Sequence, residues 1–176
     1  MDSGPIDSER VDPGRPDDES LSFSRDYDFP PVIVWDALVD ADLVSGWLAE
    51  ADITPEVGGQ YNLRWMHRLT QPASLGRITV LQPLVRLHVD TTNVGRLQFD
   101  LEGVPGGTRG LGTRLRVTIV VEIEPAFAAR VKADWLTNLD QLEDLLRGHP
   151  VDWGTWDRDR QETWAQHYDE VENSTA

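Results

Sequence analysis

Histidine, serine and one glycine-rich run are the features of this 176-residue chain whose type or spacing could do chemistry. The histidines are His67, His88, His149 and His167. No two share a metal-ligand spacing such as His-x-x-x-His. His67 follows Trp65 on a predicted strand. It could serve as a general acid or base, or orient a ligand by a hydrogen bond; the plainer alternative is a strand-end histidine beside a loop. His88 falls on the polar register of its strand and is expected to face solvent. Ser45 could be drawn into a triad, but no Gly-x-Ser-x-Gly elbow surrounds it, and it falls in a short helix. The run GGTRGLG (106–112) superficially resembles a phosphate loop. It lacks the Lys-(Ser/Thr) ending and leads into a strand instead of a helix, so it is expected to be a hairpin turn. With no cysteine there is no thiol nucleophile, disulfide, iron–sulfur cluster or Cys-ligated zinc. No catalytic constellation emerges, His67 being the single candidate, and neither a metal nor a cofactor is expected.

The elements that would carry these residues follow from periodicity. Residues 21–28 alternate, with Leu21, Phe23, Arg25 and Tyr27 on one side, which predicts a half-buried strand. Pro30 and Pro31 end it and open a helix over about 31–39. Asp40 is a good N-cap for a second short helix, 41–48. Gly58-Gly59 starts a strand carrying Tyr61, Leu63 and Trp65. Three more strands carry Ile78 and Val80; Val85, Leu87 and Val89; and Leu97, Phe99 and Leu101. The last strand, TRLRVTIVVEIE (113–124), puts Leu115, Val117, Ile119, Val121 and Ile123 on one face. Close-set turns predict an antiparallel meander. Arg64, Arg114 and Arg116 fall on the opposite register, the outer face, where cross-strand pairing with acids is worth little. After Pro125 the period becomes 3.6. Val131, Trp135, Leu139, Leu142 and Leu146 form one stripe, with Lys132, Asp134, Asp140, Glu143 and Asp144 opposite. Gly148 and Pro150 end this long helix.

Charge divides the chain. The net charge is −15. Residues 1–20 hold seven acids against two arginines, and so do residues 149–176. The first 20 residues have too few apolar side chains to offset the entropy of ordering and are expected to be disordered. Residues 21–148 form one domain, and 149–176 a Trp-containing acidic extension. In that extension Trp153, Trp156, Trp164, His167 and Tyr168 have near-helical spacing, which predicts a helix over 152–170 docked on the body or on a partner chain. The acidity argues against binding a phosphate backbone. No apolar run reaches the roughly 20 residues of a membrane span, and the N-terminus lacks the features of a secretory signal. The expectation is a soluble, cytoplasmic protein.

The order of elements and five short signatures resemble one family. FPPVIVWDALVDADLVSGWL (29–48), VGGQYNL (57–63), GRITVLQPLVRLHVD (76–90), GGTRGLGTRLRVT (106–118) and WLTNLDQLEDLLRG (135–148) are similar, in order and spacing, to the START-like or helix-grip superfamily (SRPBCC, birch-pollen-allergen-like). Within it they resemble the branch named for the activator of heat-shock protein 90 ATPase. Asp134 stands where that branch usually has Gly, and residues 151 onward have no counterpart in it. The resemblance implies an α+β fold, a curved antiparallel sheet of about six strands gripping a long C-terminal helix, with two short helices after the first strand. Members of the superfamily bind sterols, lipids, hormones and aromatic polyketides, and some are cyclases.

Function must then be argued from a site. The resemblance implies a cavity between sheet and long helix that holds a small hydrophobic or aromatic molecule, the protein being a carrier or sensor. The expected lining is Tyr61, Leu63, Trp65, Ile78, Leu87, Phe99 and Val117 from the strands, with Trp135 and Leu139 from the helix. For Tyr61, Trp65 and Trp135, core filling and pocket lining are both open. A pocket containing His67 and an inward acid such as Asp100 would instead indicate a cyclase or dehydratase. A filled core would indicate a chaperone-associated or regulatory interaction module, self-associating or meeting a protein partner through the C-terminal extension.

Overall fold

A computed structural model describes residues 20–67 and 70–175. The expected disordered segment, apart from Ser20, lies outside the described residues. The chain opens with β1 (Ser20–Tyr27), the short helices α1 (Pro31–Val39) and α2 (Ala41–Val44), and then β2 (Glu50–Ile53) and β3 (Tyr61–Arg64). Four strands follow: β4 (Gly76–Gln82), β5 (Arg86–Thr91), β6 (Arg96–Pro105) and β7 (Leu111–Val120). The long helix α3 (Pro125–Leu146), a 3-10 turn (Trp153–Thr155) and α4 (Trp156–Thr175) complete the chain.

The sheet is antiparallel with strand order β1-β7-β6-β5-β4. The meander is present, and β1 closes its far edge through pairs such as Phe23 with Val117. Among the described residues the strands number seven and divide five and two, because β3 pairs with a strand the alternation did not reveal, β2. Isolated bridges, Gln60 with Arg77 and Leu63 with Ser74, link the β3 region to the β4 region. Four residues are too few for the EADI segment of β2 to show a period. The last strand stops at Val120, four residues short of the expectation. The segment from 121 to 124 leaves the sheet to reach α3. Asp40 caps α2 as expected, its carboxylate accepting from the backbone N–H groups of Asp42 and Leu43, but regular helix ends at Val44 and tight turns continue to Leu48.

The inner sheet face supplies Leu87, Val89, Leu97, Phe99, Leu115, Val117 and Ile119 to one core. The helices bring Trp35, Leu38, Trp135, Leu139 and Leu142, and Trp47 comes from the turn after α2. Two phenols fasten helices to strands from within. Tyr27 Oη donates to Leu139 O at 2.9 Å and Tyr61 Oη to Leu38 O at 2.7 Å. Burial pushes both phenols well above their ordinary pKa, so they stay neutral donors.

The C-terminal extension folds back as α4 along α3. Only Trp156 of α4 is fully buried, so this seam is polar. Trp164 Nε1 donates to Asp134 Oδ1 at 2.7 Å, and Arg160 Nη1 to Asp144 Oδ2 at 2.5 Å. Asp140 joins three elements, meeting His167 Nε2 of α4 at 2.6 Å and Arg25 Nη1 of β1 at 2.5 Å. The acidic face of α3 is therefore largely a docking surface for α4. No described helix is long and apolar enough to cross a membrane.

Candidate functional site

β7 ends at Val120, where its partners on β1 and β6 also end, and Pro125 opens α3, since its fixed φ fits a first helical turn. The crossing segment 121–124 holds the start of α3 away from the end of the sheet. The space between is a cavity of about 430 Å³. Its other walls are the β5–β6 turn (Asn93, Val94) and the loop after β3 (Trp65, His67, Gln71). Ile119 and Trp135 are buried in its apolar wall, with Trp65, Val94, Val121 and Val131 around them, and Phe127 stands at the mouth, 53% exposed. Glu122 and Glu124 are exposed on the rim. Asp134 and Asn138 also line the cavity, and Asn138 is buried.

Hydrogen bonds link described residues of the loop wall to the β5–β6 turn. Trp65 Nε1 donates to Ser74 Oγ at 3.2 Å. Ser74 in turn donates to Asn93 Oδ1, and Asn93 Nδ2 donates to Pro72 O at 3.2 Å. The side chain of Asn93 thus ties the loop to the β5–β6 turn. The extension braces the same loop from behind. The His67 ring stacks on Trp156 with centroids 4.4 Å apart and on Trp153 at 5.7 Å. Trp153 Nε1 donates to Ser45 O at 2.7 Å, and Trp156 Nε1 to Gln141 Oε1 at 2.8 Å.

The expected lining residues separate into two groups. Trp65, Trp135 and the candidate His67 line the cavity. Tyr61, Leu63, Ile78, Leu87, Phe99, Val117 and Leu139 do not; each is at most 1% exposed and sits in the packed core. Alternation identifies which side chains point inward, but inward space is emptied or filled by what packs opposite. Tyr61 is met by α1, and Phe99 by Trp135, whose ring lies tilted at 6.4 Å. Reading the sequence missed Ile119, Val94, Val121, Phe127, Val131 and Asn138. A signal was available for two of them: Val131 and Asn138 flank Trp135 at spacings of four and three, so all three share one helix face.

Other candidates have local explanations. His88 does not face solvent freely: its side chain is 18% exposed, on the outer face of an interior strand, with Nε2 3.8 Å from Asp100 Oδ1. Desolvation lowers its pKa below the usual histidine value, against the opposing pull of Asp100. Asp100 itself is on that outer face, bonded by Arg86 Nε at 2.6 Å, far from the inward position that acid chemistry in the cavity would need. Ser45 Oγ donates to Ala41 O at 2.8 Å, an intrahelical bond. The glycine-rich run is the β6–β7 hairpin, as expected. Gly107 has φ +71°, and a Cβ there would meet Asp28 Oδ1 at 1.9 Å. Asp28 takes bonds from Thr108 N at 3.1 Å and from Thr108 Oγ1 at 2.6 Å. These bonds hold the Asp28 carboxyl below its ordinary pKa. A carboxylate of the chain itself therefore occupies the place that a phosphate loop would offer an anion. On the outer face, Arg114 pairs with Asp26 at 2.8 Å and Arg64 pairs with Glu50. Among the described residues, no cluster of three or more His, Asp or Glu could hold a metal ion.

Comparison with known proteins gives one family. Residues 28–147 match the model described as Activator of Hsp90 ATPase homolog 1-like protein. No curated protein matches the chain. Among solved structures, CalU16 from Micromonospora echinospora aligns at 20% identity with a TM-score of 0.63, covering 88% of this chain and 86% of CalU16. MLL2253 from Mesorhizobium loti aligns at 21% identity and TM-score 0.60, covering 76% of this chain and all of the other (100%). DynU16, a putative protein in the dynemicin biosynthetic locus, aligns at 21% identity and TM-score 0.60; 76% of this chain is covered, but only 49% of DynU16. These structural likenesses concern the fold.

Proposed function

The chain belongs to the activator of Hsp90 ATPase homolog 1-like family, and from that premise we propose that it binds one small hydrophobic or aromatic molecule between the end of β7 and the first half of α3. It acts as a carrier or sensor of that molecule and does not transform it. The observation that carries this reading is the cavity itself. Its volume of about 430 Å³ falls within the range of small-molecule sites, roughly 300–1,000 Å³. Its walls combine aromatic and aliphatic side chains, Trp65, Ile119 and Trp135 among them, with polar groups such as Asn93, Asp134 and Asn138. A ligand there would meet Trp65 and Trp135, whose rings offer large apolar faces. The placing of DynU16, a protein of similar fold, in a biosynthetic locus fits a small-molecule role.

A second reading keeps one observation of its own. His67 and Asp134 line the same cavity, so a cyclase or dehydratase could draw an acid and a base from them. His67 is nevertheless stacked on two indoles of the extension, and Trp164 already donates to Asp134. Both groups have structural work, which favours the binding reading. The extension is likewise engaged within the chain, because all three of its indole N–H groups donate to the body. That weighs against its being primarily a surface for a partner.

The test is native mass spectrometry of the purified protein, followed by organic extraction and identification of what is released. The expected result is a mass increment from one apolar molecule per chain, lost when Trp135→Ala or Ile119→Arg alters the cavity wall. Conversion of the extracted molecule on incubation with fresh protein would replace the carrier reading with the enzymatic one.

A further inference from the structure

Asn138 stands out within the cavity because it is a buried amide, 6% exposed, on the same helix face as Val131 and Trp135. Its orientation is set by a relay that begins in the C-terminal extension. An indole N–H can only donate, so Trp156 Nε1 at 2.8 Å requires the oxygen of Gln141 to face it. The Gln141 amide nitrogen must then point the other way, where it donates to Trp47 O at 2.7 Å and, more weakly, to Asn138 Oδ1 at 3.4 Å. With its oxygen turned toward Gln141, Asn138 is left with its Nδ2 donor unused among the described residues. The rim of the same cavity carries two exposed carboxylates, Glu122 and Glu124. The chain as a whole has a net charge of −15.

We propose that the ligand is an aromatic molecule, uncharged or cationic, whose buried end carries a hydrogen-bond-accepting oxygen that meets Asn138 Nδ2. This inference rests on the binding function proposed above and narrows it. The physical grounds are independent of each other. An amide donor that borders the cavity and makes no bond to the described residues favours a ligand that supplies an acceptor there over one that does not. A rim of carboxylates repels an anion as it enters and attracts a cation, an effect that salt weakens. The relay also makes Trp156 a positioning residue: it keeps the Asn138 amide turned outward into the cavity without touching the ligand.

The experiment measures binding of three probes with one aromatic body: naphthalene, naphthyl methyl ketone and naphthoate. Titration calorimetry and tryptophan fluorescence report the affinities. The ketone is expected to bind about tenfold tighter than naphthalene, as one buried hydrogen bond predicts. Naphthoate is expected to bind about tenfold weaker than the ketone at low salt, the gap narrowing as salt rises. Asn138→Leu should equalise ketone and naphthalene while leaving naphthalene binding intact. Trp156→Phe, at a residue that does not itself line the cavity, should reduce the ketone preference, and Glu122→Gln with Glu124→Gln should shrink the penalty on naphthoate. If naphthalene and ketone bind the wild type equally, or if naphthoate binds as tightly as the ketone, the inference fails while the cavity reading stands. If none of the three binds, both fail.

Discussion

The sheet with its inner helix face and the seam between α3 and α4 are stabilised by opposite means. Beneath the sheet, Leu87, Leu97, Phe99, Leu115, Val117 and Leu139 are almost wholly removed from water, and apolar burial holds them. Along the seam, α4 buries only Trp156 completely, and the contacts are indole N–H groups, carboxylates, an arginine and a histidine. The first region tolerates no loss of volume. The second depends on directed bonds whose partners are unpaired when one is removed. The cavity lies where the two regions meet: its floor belongs to the first, and the brace behind His67 to the second.

Substitutions can break this contrast at graded sizes. Phe99→Ala should cost the most, about 3–5 kcal/mol, because a large buried ring leaves a void; a denaturant titration would show the lowered midpoint. Alkaline titration probes the same region. Tyr27 and Tyr61 have pKa values raised by burial, first by desolvation, from an ordinary value of 10.0. Their contribution to stability is therefore complete below the unfolded-state value and is lost as pH rises through and beyond it. Their tyrosinate absorbance is expected to appear only together with the loss of near-ultraviolet circular dichroism. If both titrate while the fold is intact, the packing assigned to them is wrong.

In the seam the effects should be smaller and show a different signature. Gln141→Leu keeps the volume but leaves Trp47 O and the Trp156 indole N–H unpaired, and should cost about 2–3 kcal/mol. Trp164→Phe removes one bond to Asp134 at a half-buried site and should cost about 1 kcal/mol. Its distinguishing feature would be faster hydrogen exchange confined to α4, with the sheet unchanged. Arg114→Ala on the exposed outer face is expected to leave the denaturation midpoint unmoved, since its partner Asp26 is solvated. A seam variant as costly as Phe99→Ala would erase the distinction between the two regions.

Legibility followed the same division. Period-2 and period-3.6 patterns revealed β1, the meander and α3, because a wide apolar face repeats over many residues. The pattern was silent about β2, only four residues long. It also placed the acidic residues of α3 on a polar face, without revealing that Asp134, Asp140 and Asp144 would be covered by a second polar helix. Within the candidate site, Trp65, His67 and Trp135 were legible as inward or near-inward aromatics. The emptiness above Ile119 was not, because it depends on the segment 121–124 leaving the sheet to reach α3 and on the loop tied by Asn93.

What the sequence determined alone is the longer elements, their apolar faces and the family resemblance, since each depends on residues near one another in the chain. What only tertiary structure decided is which inward side chains are packed and which border open space, and which way the Asn138 amide points. Those outcomes depend on groups far apart in sequence, Trp47, Asn138, Gln141 and Trp156 among them. A hydrogen bond has a direction that no periodicity records.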